Sequence, residues 1–173
     1  MNEPASSSLQ FAQMNLPIGM LHLVGDDRYL RHILLQTHSL QPPPHWQRAE
    51  SLPYPAAEQL NAYFAGALSE FDLPISPEGT AFQLEVWTAL EEIPYGETIS
   101  YMELARRVGK PDAVRAAGLA NGKNPLPIVV PCHRVVGSDS SMTGYRGGLS
   151  TKEFLLTHEG VPVPERMQQL SLF

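Results

Sequence analysis

The chain is poor in cysteine, with Cys132 as its only one among 173 residues. A single thiol cannot form an intramolecular disulfide or supply a zinc site with several thiolates. Long apolar runs are also lacking, and none approaches the roughly 20 residues of a transmembrane helix. Residues 1–10 contain neither a basic region nor an apolar core, so no secretory signal is visible. These absences predict a cytosolic protein without a membrane partner.

The net charge of −6 conceals an uneven distribution along the chain. Residues 1–100 carry three basic and twelve acidic side chains, whereas residues 101–152 carry eight basic and three acidic ones, a net +5. The basic segment contains Cys132. Such a segment in an acidic chain is typical of a surface that binds polyanions. The alternative is a chance cluster on a solvated surface.

The first half of the chain has the pattern of a small sheet followed by a helix. Apolar runs separated by turn signals predict a β-meander at residues 11–15, 20–24 and 30–35. Prolines 42–44 predict an extended loop, and apolar residues at four-residue spacing predict a helix over 56–68. The proline- and glycine-containing segment 72–79 is typical of a linker. We therefore expect two domains, 1–78 and 79–173.

The second half predicts a cluster of short helices. Thr80 is expected to cap a helix that buries a stripe of apolar residues: Phe82, Val86, Trp87 and Leu90. A helix over 101–108 is followed by a tight turn, and Asp112 is expected to cap another over 113–121. Two short basic helices joined in this way are typical of a helix-turn-helix.

The second helix of that pair is unusual for a reader of base sequence. It consists mainly of alanine and glycine, and Arg115 is its only long cationic side chain. Base edges in the major groove are read by long polar side chains, which this helix lacks. Small residues permit close approach to a groove wall, which favours minor-groove binding without sequence specificity. A tightly packed core helix is the alternative.

Cys132 follows the apolar run 128–130 and precedes His133 and Arg134. Nearby positive charge favours the thiolate, which is the nucleophilic form of cysteine. The alternative interpretation is a small buried apolar residue at the end of a strand.

An ordered set of motifs surrounds this cysteine. In chain order they are Phe82-Gln83, Val86-Trp87, Ile93-Pro94-Tyr95-Gly96, Ser100-Tyr101, Leu104-Ala105, Arg115-Ala116, Gly118, Asn121, Asn124-Pro125, Pro131-Cys132-His133-Arg134-Val135, Thr143-Gly144-Tyr145, Gly147-Gly148, Lys152, Leu155-Leu156 and His158-Glu159-Gly160. Together they resemble the O6-alkylguanine-DNA alkyltransferases, or methylated-DNA–protein-cysteine methyltransferases. The resemblance is strong over residues 80–160 and weak before them.

The resemblance implies an α+β fold. Its first domain would be ribonuclease-H-like, with a small antiparallel sheet and helices, and its second a helical, winged-helix or helix-turn-helix-like domain that carries the cysteine. The implied activity is direct-reversal DNA repair. The protein would bind duplex DNA in the minor groove and flip out an O6-alkylguanine, or an O4-alkylthymine. The alkyl group would pass to Cys132 as a stable thioether in a single turnover, without a cofactor.

The resemblance also implies a role for each catalytic residue. Cys132 is the nucleophile, and His133 is its base through a bridging water. Glu159 orients the histidine. Asn124 holds the turn before the strand that carries the cysteine. Tyr101 presses on the phosphate 3′ to the target and later donates a proton toward the departing guanine.

Binding residues are implied in the same way. Arg115 enters the base stack in place of the flipped nucleotide, and the further DNA contacts are Tyr101, Ala116, Ala117, Ala120, Gly122 and Lys123. The alkyl pocket is expected to be lined by Val135, Tyr145, Arg146, Gly147 and Gly148. Arg146 departs from the family, which often has a small residue there, and so leaves the width of the pocket open. Some relatives carry a zinc site in the first domain. No metal is predicted here, because that domain has no cysteine and its histidines lack ligand spacing: His22, His32, His38 and His45.

Residues 161–173 extend beyond the family pattern. Val161-Pro162-Val163-Pro164 predicts a stiff spacer. The pentapeptide Gln169-Leu170-Ser171-Leu172-Phe173 resembles the consensus by which bacterial repair proteins dock on the DNA polymerase sliding clamp. Packing of these apolar side chains on their own domain is the alternative.

Three other functions are weighed against this interpretation. A non-enzymatic alkyl-lesion binder replaces the cysteine, so Cys132 argues against it. A helix-turn-helix regulator is disfavoured by a second helix without base-reading side chains. A turnover cysteine hydrolase does not usually have its cysteine and histidine adjacent in sequence. The expected protein is a monomer in the bacterial cytoplasm at the nucleoid, and cooperative binding along DNA is left open.

Overall fold

The structure is a computed structural model that describes residues 8–35 and 42–163. It divides into two compact units, residues 1–78 and 79–173. The expected α+β fold class is confirmed, since a small sheet precedes a set of helices. Across the described residues, no helix combines the length and the apolar character that a membrane span requires.

The first unit is built on a four-stranded sheet. Strands β1 (Gln10–Leu16), β2 (Gly19–Gly25) and β3 (Leu30–Leu35) pair antiparallel in succession, as the meander prediction expected. Strand β4 (Gln47–Arg48) pairs parallel with β1, which gives the order β3-β2-β1-β4. Strand β2 is the most deeply buried of the four and contributes Leu21, Leu23 and Val24 to the core.

Helix α1 (Ala56–Phe64) buries Leu60 and Tyr63 and is shorter than predicted. It ends early because Gly66 adopts a left-handed backbone with φ of 74°, and the Ala67 amide bonds back to the Ala62 carbonyl. Part of the segment predicted as a linker is bonded to the sheet, because Ile75 forms a parallel bridge with Leu30 in β3.

The second unit contains four helices in its described part. They are α2 (Ala81–Glu91), α3 (Tyr101–Arg107), α4 (Val114–Gly122) and α5 (Leu149–His158). Strands β5 (Ile99–Ser100) and β6 (Val135–Val136) pair in parallel. The helix-turn-helix is formed by α3 and α4, as expected. The prediction that Asp112 caps the second helix is wrong: Ala113 occupies the cap position, and no side chain caps α4.

Helix α2 starts as its sequence predicted. The Thr80 hydroxyl accepts the Gln83 amide, and the Gln83 side chain accepts the Thr80 amide, which forms a capping box. Of the predicted apolar stripe, Val86, Trp87 and Leu90 are buried, while Phe82 is only partly covered. The Trp87 indole also donates to the Ala120 carbonyl at 2.9 Å and so ties α2 to α4.

The segment between α4 and β6 differs from the expected strand. Residues 125–131 form turns, in which Ile128 has a left-handed φ of 76°, and Cys132–Arg134 form a single 3-10 turn. Cys132 therefore lies in a 3-10 turn and not at the end of a strand. The first residues of the predicted spacer pack on the second unit: Val161 and Val163 contact the buried cluster of Val136, Met142 and Leu156.

Candidate active site

The thiol of Cys132 lies in the interior of the second unit, with only 5 % of the residue exposed. Burial raises the pKa of this thiol above its ordinary value. Three neighbours lower it: the Asn124 side chain, the Lys152 ammonium and the Tyr145 hydroxyl. The site therefore combines a costly desolvation with groups that specifically favour the thiolate.

Two asparagines shape the backbone around the thiol. Asn124 donates to the Val130 carbonyl at 2.7 Å and accepts the Leu126 amide at 2.9 Å, which closes the turns that lead from α4 to Cys132. Asn121, on the buried face of α4, donates to the Cys132 carbonyl at 3.4 Å. The position of the cysteine is thus fixed by one side chain near the end of α4 and one just after it.

His133, Arg134 and Glu159 form a buried network next to the cysteine. Glu159 lies at the end of α5, and its Oε1 is 2.8 Å from Nε2 of His133. Arg134 donates to both oxygens of the same carboxylate, from Nε and Nη2, at 2.9 Å each. Its Nη1 donates to the Ile93 carbonyl at 2.6 Å. One carboxylate therefore holds two consecutive residues of the 3-10 turn through planar, charge-assisted bonds.

This network keeps His133 uncharged at neutral pH. Burial lowers the pKa of its imidazole, and Arg134 and Lys152 lower it further, while Glu159 acts in the opposite direction. Because the charge of Arg134 already neutralises Glu159, the carboxylate favours protonation of His133 only weakly. Nδ1 of His133 is buried and has no hydrogen-bond partner within the described protein. With Nε2 bound to Glu159, Nδ1 is the ring atom available to accept a proton.

Tyr101, at the start of α3, donates its hydroxyl to the Thr143 carbonyl at 3.0 Å. Burial raises the pKa of this phenol, the bond to Thr143 lowers it, and the nearby Cys132 raises it. The hydroxyl therefore stays protonated at neutral pH. Lys152 donates to the same carbonyl at 3.3 Å, so α3 and α5 meet at Thr143.

An open groove of about 880 Å³ lies on the surface between α4 and the loop before α5. Its lining includes three cations, Arg115, Lys123 and Arg146, and no acidic side chain. Tyr101 and Tyr145 also line it, and both are coupled to Cys132. Two side chains that line the cationic groove therefore also interact with the thiol.

The predicted DNA-contacting residues of α4 divide between two faces. Arg115, Ala116, Gly122 and Lys123 are exposed. Ala117 and Ala120, which were also expected to contact DNA, are not on that exposed face. They are 0 % and 3 % exposed, because they form the inner face of α4, where Ala120 meets Trp87. The core interpretation therefore holds for the inner face of this helix, and DNA contact by its exposed face stays a prediction.

Family models match nearly the whole chain. That of the 6-O-methylguanine DNA methyltransferase DNA-binding domain matches residues 81–161, and that of the ribonuclease-like domain of the same enzymes matches residues 9–77. The chain belongs to the 6-O-methylguanine DNA methyltransferase family. The recognised resemblance is thereby confirmed, and so are the ribonuclease-like and DNA-binding domain types.

Individual members of the 6-O-methylguanine DNA methyltransferase family are similar over most of their length. The methylated-DNA–protein-cysteine methyltransferase of Methanosarcina acetivorans is 47% identical over 154 residues, covering 88% of this chain and 99% of its own. A crystal structure of the Mycobacterium tuberculosis O6-methylguanine methyltransferase is 44% identical with a TM-score of 0.83, covering 92% and 98%. The structure of Mycobacterium tuberculosis OGT in complex with DNA is 46% identical with a TM-score of 0.82, covering 87% and 93%.

Four residues of this methyltransferase-family site were missed as functional residues in the sequence. Asn121, Arg134 and Lys152 lie within the motifs that carried the resemblance, but nothing local signals that they are buried and bonded around the thiol. Leu119 is 68 % exposed on the groove side of α4, although a leucine in a short helix is normally expected in the core. The expected pocket residues divide as well: Tyr145 and Arg146 line the groove, whereas Val135 and Gly147 are buried.

Proposed function

We propose that the chain repairs DNA by direct reversal, transferring an alkyl group from O6 of guanine in duplex DNA to Sγ of Cys132. The observation that carries the proposal is the arrangement around the lone cysteine. Its neighbour His133 is neutral and buried, is held by a carboxylate, and has a free ring nitrogen, all within the domain that matches the DNA-binding family model. The relatives named as methylated-DNA–protein-cysteine methyltransferases support the same reaction.

In the proposed reaction His133 accepts the thiol proton through a bridging water at Nδ1, while Glu159 retains Nε2. The thiolate then attacks the alkyl carbon, so that the S–C bond forms as the C–O6 bond breaks. The departing guanine receives a proton from the Tyr101 hydroxyl, and the proton held by His133 restores that hydroxyl. The products are S-alkylcysteine and guanine, and the protein is consumed because a thioether has no easy route back to the thiol.

The groove is the proposed DNA-binding surface. Arg115 is exposed at its edge and is the side chain proposed to replace the flipped nucleotide in the base stack. Lys123 and the exposed backbone at Ala116 and Gly122 would follow the phosphates of the minor groove. Such contacts carry no base identity, so binding is independent of sequence.

The alkyl pocket is proposed to lie between Tyr145 and the backbone of Val135, with Gly147 and Gly148 forming its wall. Gly148 has φ of 89°, a conformation that a side chain would strain, so this part of the wall requires glycine. Arg146 lines the groove, and O4-alkylthymine is proposed as a further substrate of the same transfer.

The test is stoichiometric alkyl transfer. The protein is incubated with an excess of duplex containing O6-methylguanine, and its intact mass and modified peptide are measured. We expect one methyl group per chain, located on Cys132, and no further product after one equivalent. The matched controls are an unmodified duplex and Cys132→Ser, neither of which gains mass. An unmodified wild-type protein, or product beyond one equivalent, would contradict the proposal and favour a lesion binder or a hydrolase.

Gln169–Phe173 is proposed to dock on the bacterial sliding clamp, with Leu172 and Phe173 in an apolar pocket and Gln169 as a polar anchor. The segment lies outside the described residues, and the support is its sequence pattern alone. Purified clamp is expected to bind the full chain, and binding is lost in Leu172→Ala/Phe173→Ala. A variant with the same composition but a scrambled order of these five residues is the control. Equal binding by wild type and scrambled chain would refute docking by this motif.

The remaining proposals concern the state of the protein in the cell. We expect a monomer that works in the bacterial cytoplasm at the nucleoid, because its substrate is chromosomal DNA and its free thiol requires a reducing compartment. Cooperative loading along DNA is expected to appear as a steeper binding isotherm on long duplexes than on short ones.

A further inference from the structure

Lys152 is an ammonium group enclosed in the protein. The residue lies on α5 and is 0 % exposed. Its Nζ donates to the Val135 carbonyl at 2.6 Å and to the Thr143 carbonyl at 3.3 Å, and it lies 5.9 Å from the centre of the Tyr101 ring. Among the residues that the structure describes, no carboxylate forms an ion pair with it. A buried cation surrounded only by carbonyl dipoles and a ring is poorly compensated.

The anionic group that interacts electrostatically with this ammonium is the Cys132 thiolate. The Lys152 ammonium lowers the pKa of Cys132, and a Cys132 thiolate raises the pKa of Lys152. Burial works against the lysine and lowers its pKa to about 8. A neutral amide could satisfy one of the two carbonyls at a smaller desolvation cost, so the charge is not required for those hydrogen bonds. The positive charge of Lys152 instead stabilises the thiolate of Cys132 when that thiolate forms.

We propose that Lys152 is a positioning residue for alkyl transfer, whose ammonium is the counter-charge of the Cys132 thiolate. Its hydrogen bonds join β6 to the loop that contains Thr143. The inference rests on the proposed function for the identity of the natural electrophile. In the transfer the S–C bond forms, the C–O6 bond breaks and the thiol proton leaves through His133. Lys152 keeps its own proton throughout and supplies charge alone.

Other titratable groups also face the Lys152–Cys132 pair and could contribute to its pH dependence. Tyr101 faces it from α3, and Tyr145 faces it from the loop before α5. His133 faces it from the 3-10 turn and is itself coupled to Lys152, with Arg134 and Glu159 behind it. Burial raises the pKa of Tyr101 and lowers that of His133, so both are uncharged at neutral pH. The titration expected near neutral pH belongs to the thiol and the lysine.

The first experiment measures the reaction of Cys132 with iodoacetamide as a function of pH in wild type and in Lys152→Gln. The glutamine retains a donor for the carbonyls and removes the charge. We expect the thiol pKa to rise by about one unit or more and the rate at pH 7 to fall about tenfold, with both proteins converging at high pH. Lys110→Gln, an exposed lysine paired with Glu85, is the matched control and keeps the wild-type profile. A loss equal at every pH would assign Lys152 a purely structural role and overturn the proposal.

A second measurement leaves Lys152 unchanged, in case Lys152→Gln does not fold. The pKa of Lys152 is followed by NMR of labelled lysine in wild type and in Cys132→Ser. Loss of the thiolate is expected to lower the pKa of Lys152, and an identical value in both proteins would refute the pairing. Neither readout contains DNA. If methyl transfer from O6-methylguanine fails while the pH profiles behave as expected, the proposed function is wrong and the Lys152–Cys132 pairing stands.

Discussion

The carboxylate of Glu159 is the residue on which the acid–base behaviour of the site depends. It accepts two bonds from Arg134 and contacts His133 at 2.8 Å. Since Arg134 carries a permanent charge, the pair is neutral before His133 is considered. A neutral pair orients the imidazole without stabilising its protonated form strongly, which preserves it as a proton acceptor.

Removing either member of the Arg134–Glu159 ion pair should shift the pKa of His133, in a direction set by the charge that is lost. Arg134→Met removes a cation and leaves the carboxylate uncompensated, so the pKa of His133 is expected to rise. Glu159→Gln removes the anion, so it is expected to fall. Arg134→Met should also lower the free energy of unfolding by about 3–5 kcal/mol, because a buried charge loses its partner. NMR titration of the histidine ring and urea unfolding measure the two effects, and shifts of the same sign in both variants would contradict this account.

The roles of individual residues were predictable to different degrees. The contact between Glu159 and His133, 26 residues apart, was expected because the resemblance implied it, not because of any local pattern. Lys152 could not be predicted as buried, since lysine is almost always exposed and its helix shows no strong apolar face around it. Its burial depends on two carbonyls, at Val135 and Thr143, that only the folded loop brings together.

At the scale of an element, α4 shows why composition alone left two interpretations open. Alanines at Ala117 and Ala120 pack inward, where their small size lets α2 and α3 approach. Exposed residues on the other face line the groove. Both faces use small residues, so periodicity could not separate them. The meander was easier to predict, because alternating apolar residues and turn signals are local to the sequence.

The groove face of α4 is expected to tolerate substitution without loss of stability but not without loss of DNA binding. Leu119 lines the groove and is exposed, so Leu119→Glu should leave unfolding within about 0.5 kcal/mol of wild type. Its carboxylate would lie opposite phosphates, and we expect DNA affinity at low salt to fall at least tenfold. Fluorescence anisotropy with a labelled duplex measures this. Thr88→Glu, which adds the same charge at an exposed position of α2, should bind as wild type; an equal loss there would indicate a net-charge effect alone.

The start of α2 gives a prediction of stability without a change in chemistry. Thr80 and Gln83 satisfy each other's backbone donors, and Thr80→Ala removes one half of this box. The free energy of unfolding should fall by about 1 kcal/mol. Thr80→Ser keeps the hydroxyl and is expected to retain most of that stability. Urea unfolding measures both, and a rate of methyl transfer that changes in Thr80→Ala would contradict a purely local role.

At the scale of the whole molecule, the acidic and basic residues separate along the chain, and this explains how an acidic chain can bind DNA. The acidic excess belongs to residues 1–100, while the cationic groove lies within the basic segment 101–152. The distribution was visible in the sequence. The sequence did not show that the basic side chains gather in one groove, because Arg115 and Arg146 are far apart in the chain and come together only in the folded protein.

Each unit also contains a buried histidine, and this determines how the molecule responds to acid. Burial lowers the pKa of His22 in the first unit and of His133 in the second. A lowered folded-state pKa means that the unfolded chain binds the proton first as pH falls. Stability is therefore full above about pH 6.5 and decreases below it. The pKa of Asp26 is also lowered, so the stability that this carboxylate contributes is present above about pH 4 and is lost only as the pH falls further.

We expect the free energy of unfolding to fall between pH 7 and pH 5, with a limiting slope of about 1.4 kcal/mol per pH unit for each histidine. His133→Gln should flatten the decrease for the second unit, and His22→Gln should flatten it for the first. Urea unfolding followed by Trp87 fluorescence in the chain with Trp46→Phe reports the second unit alone. If that transition keeps its full pH slope in His133→Gln, the imidazole is not held neutral by burial, and its assignment as the resting proton acceptor fails with it.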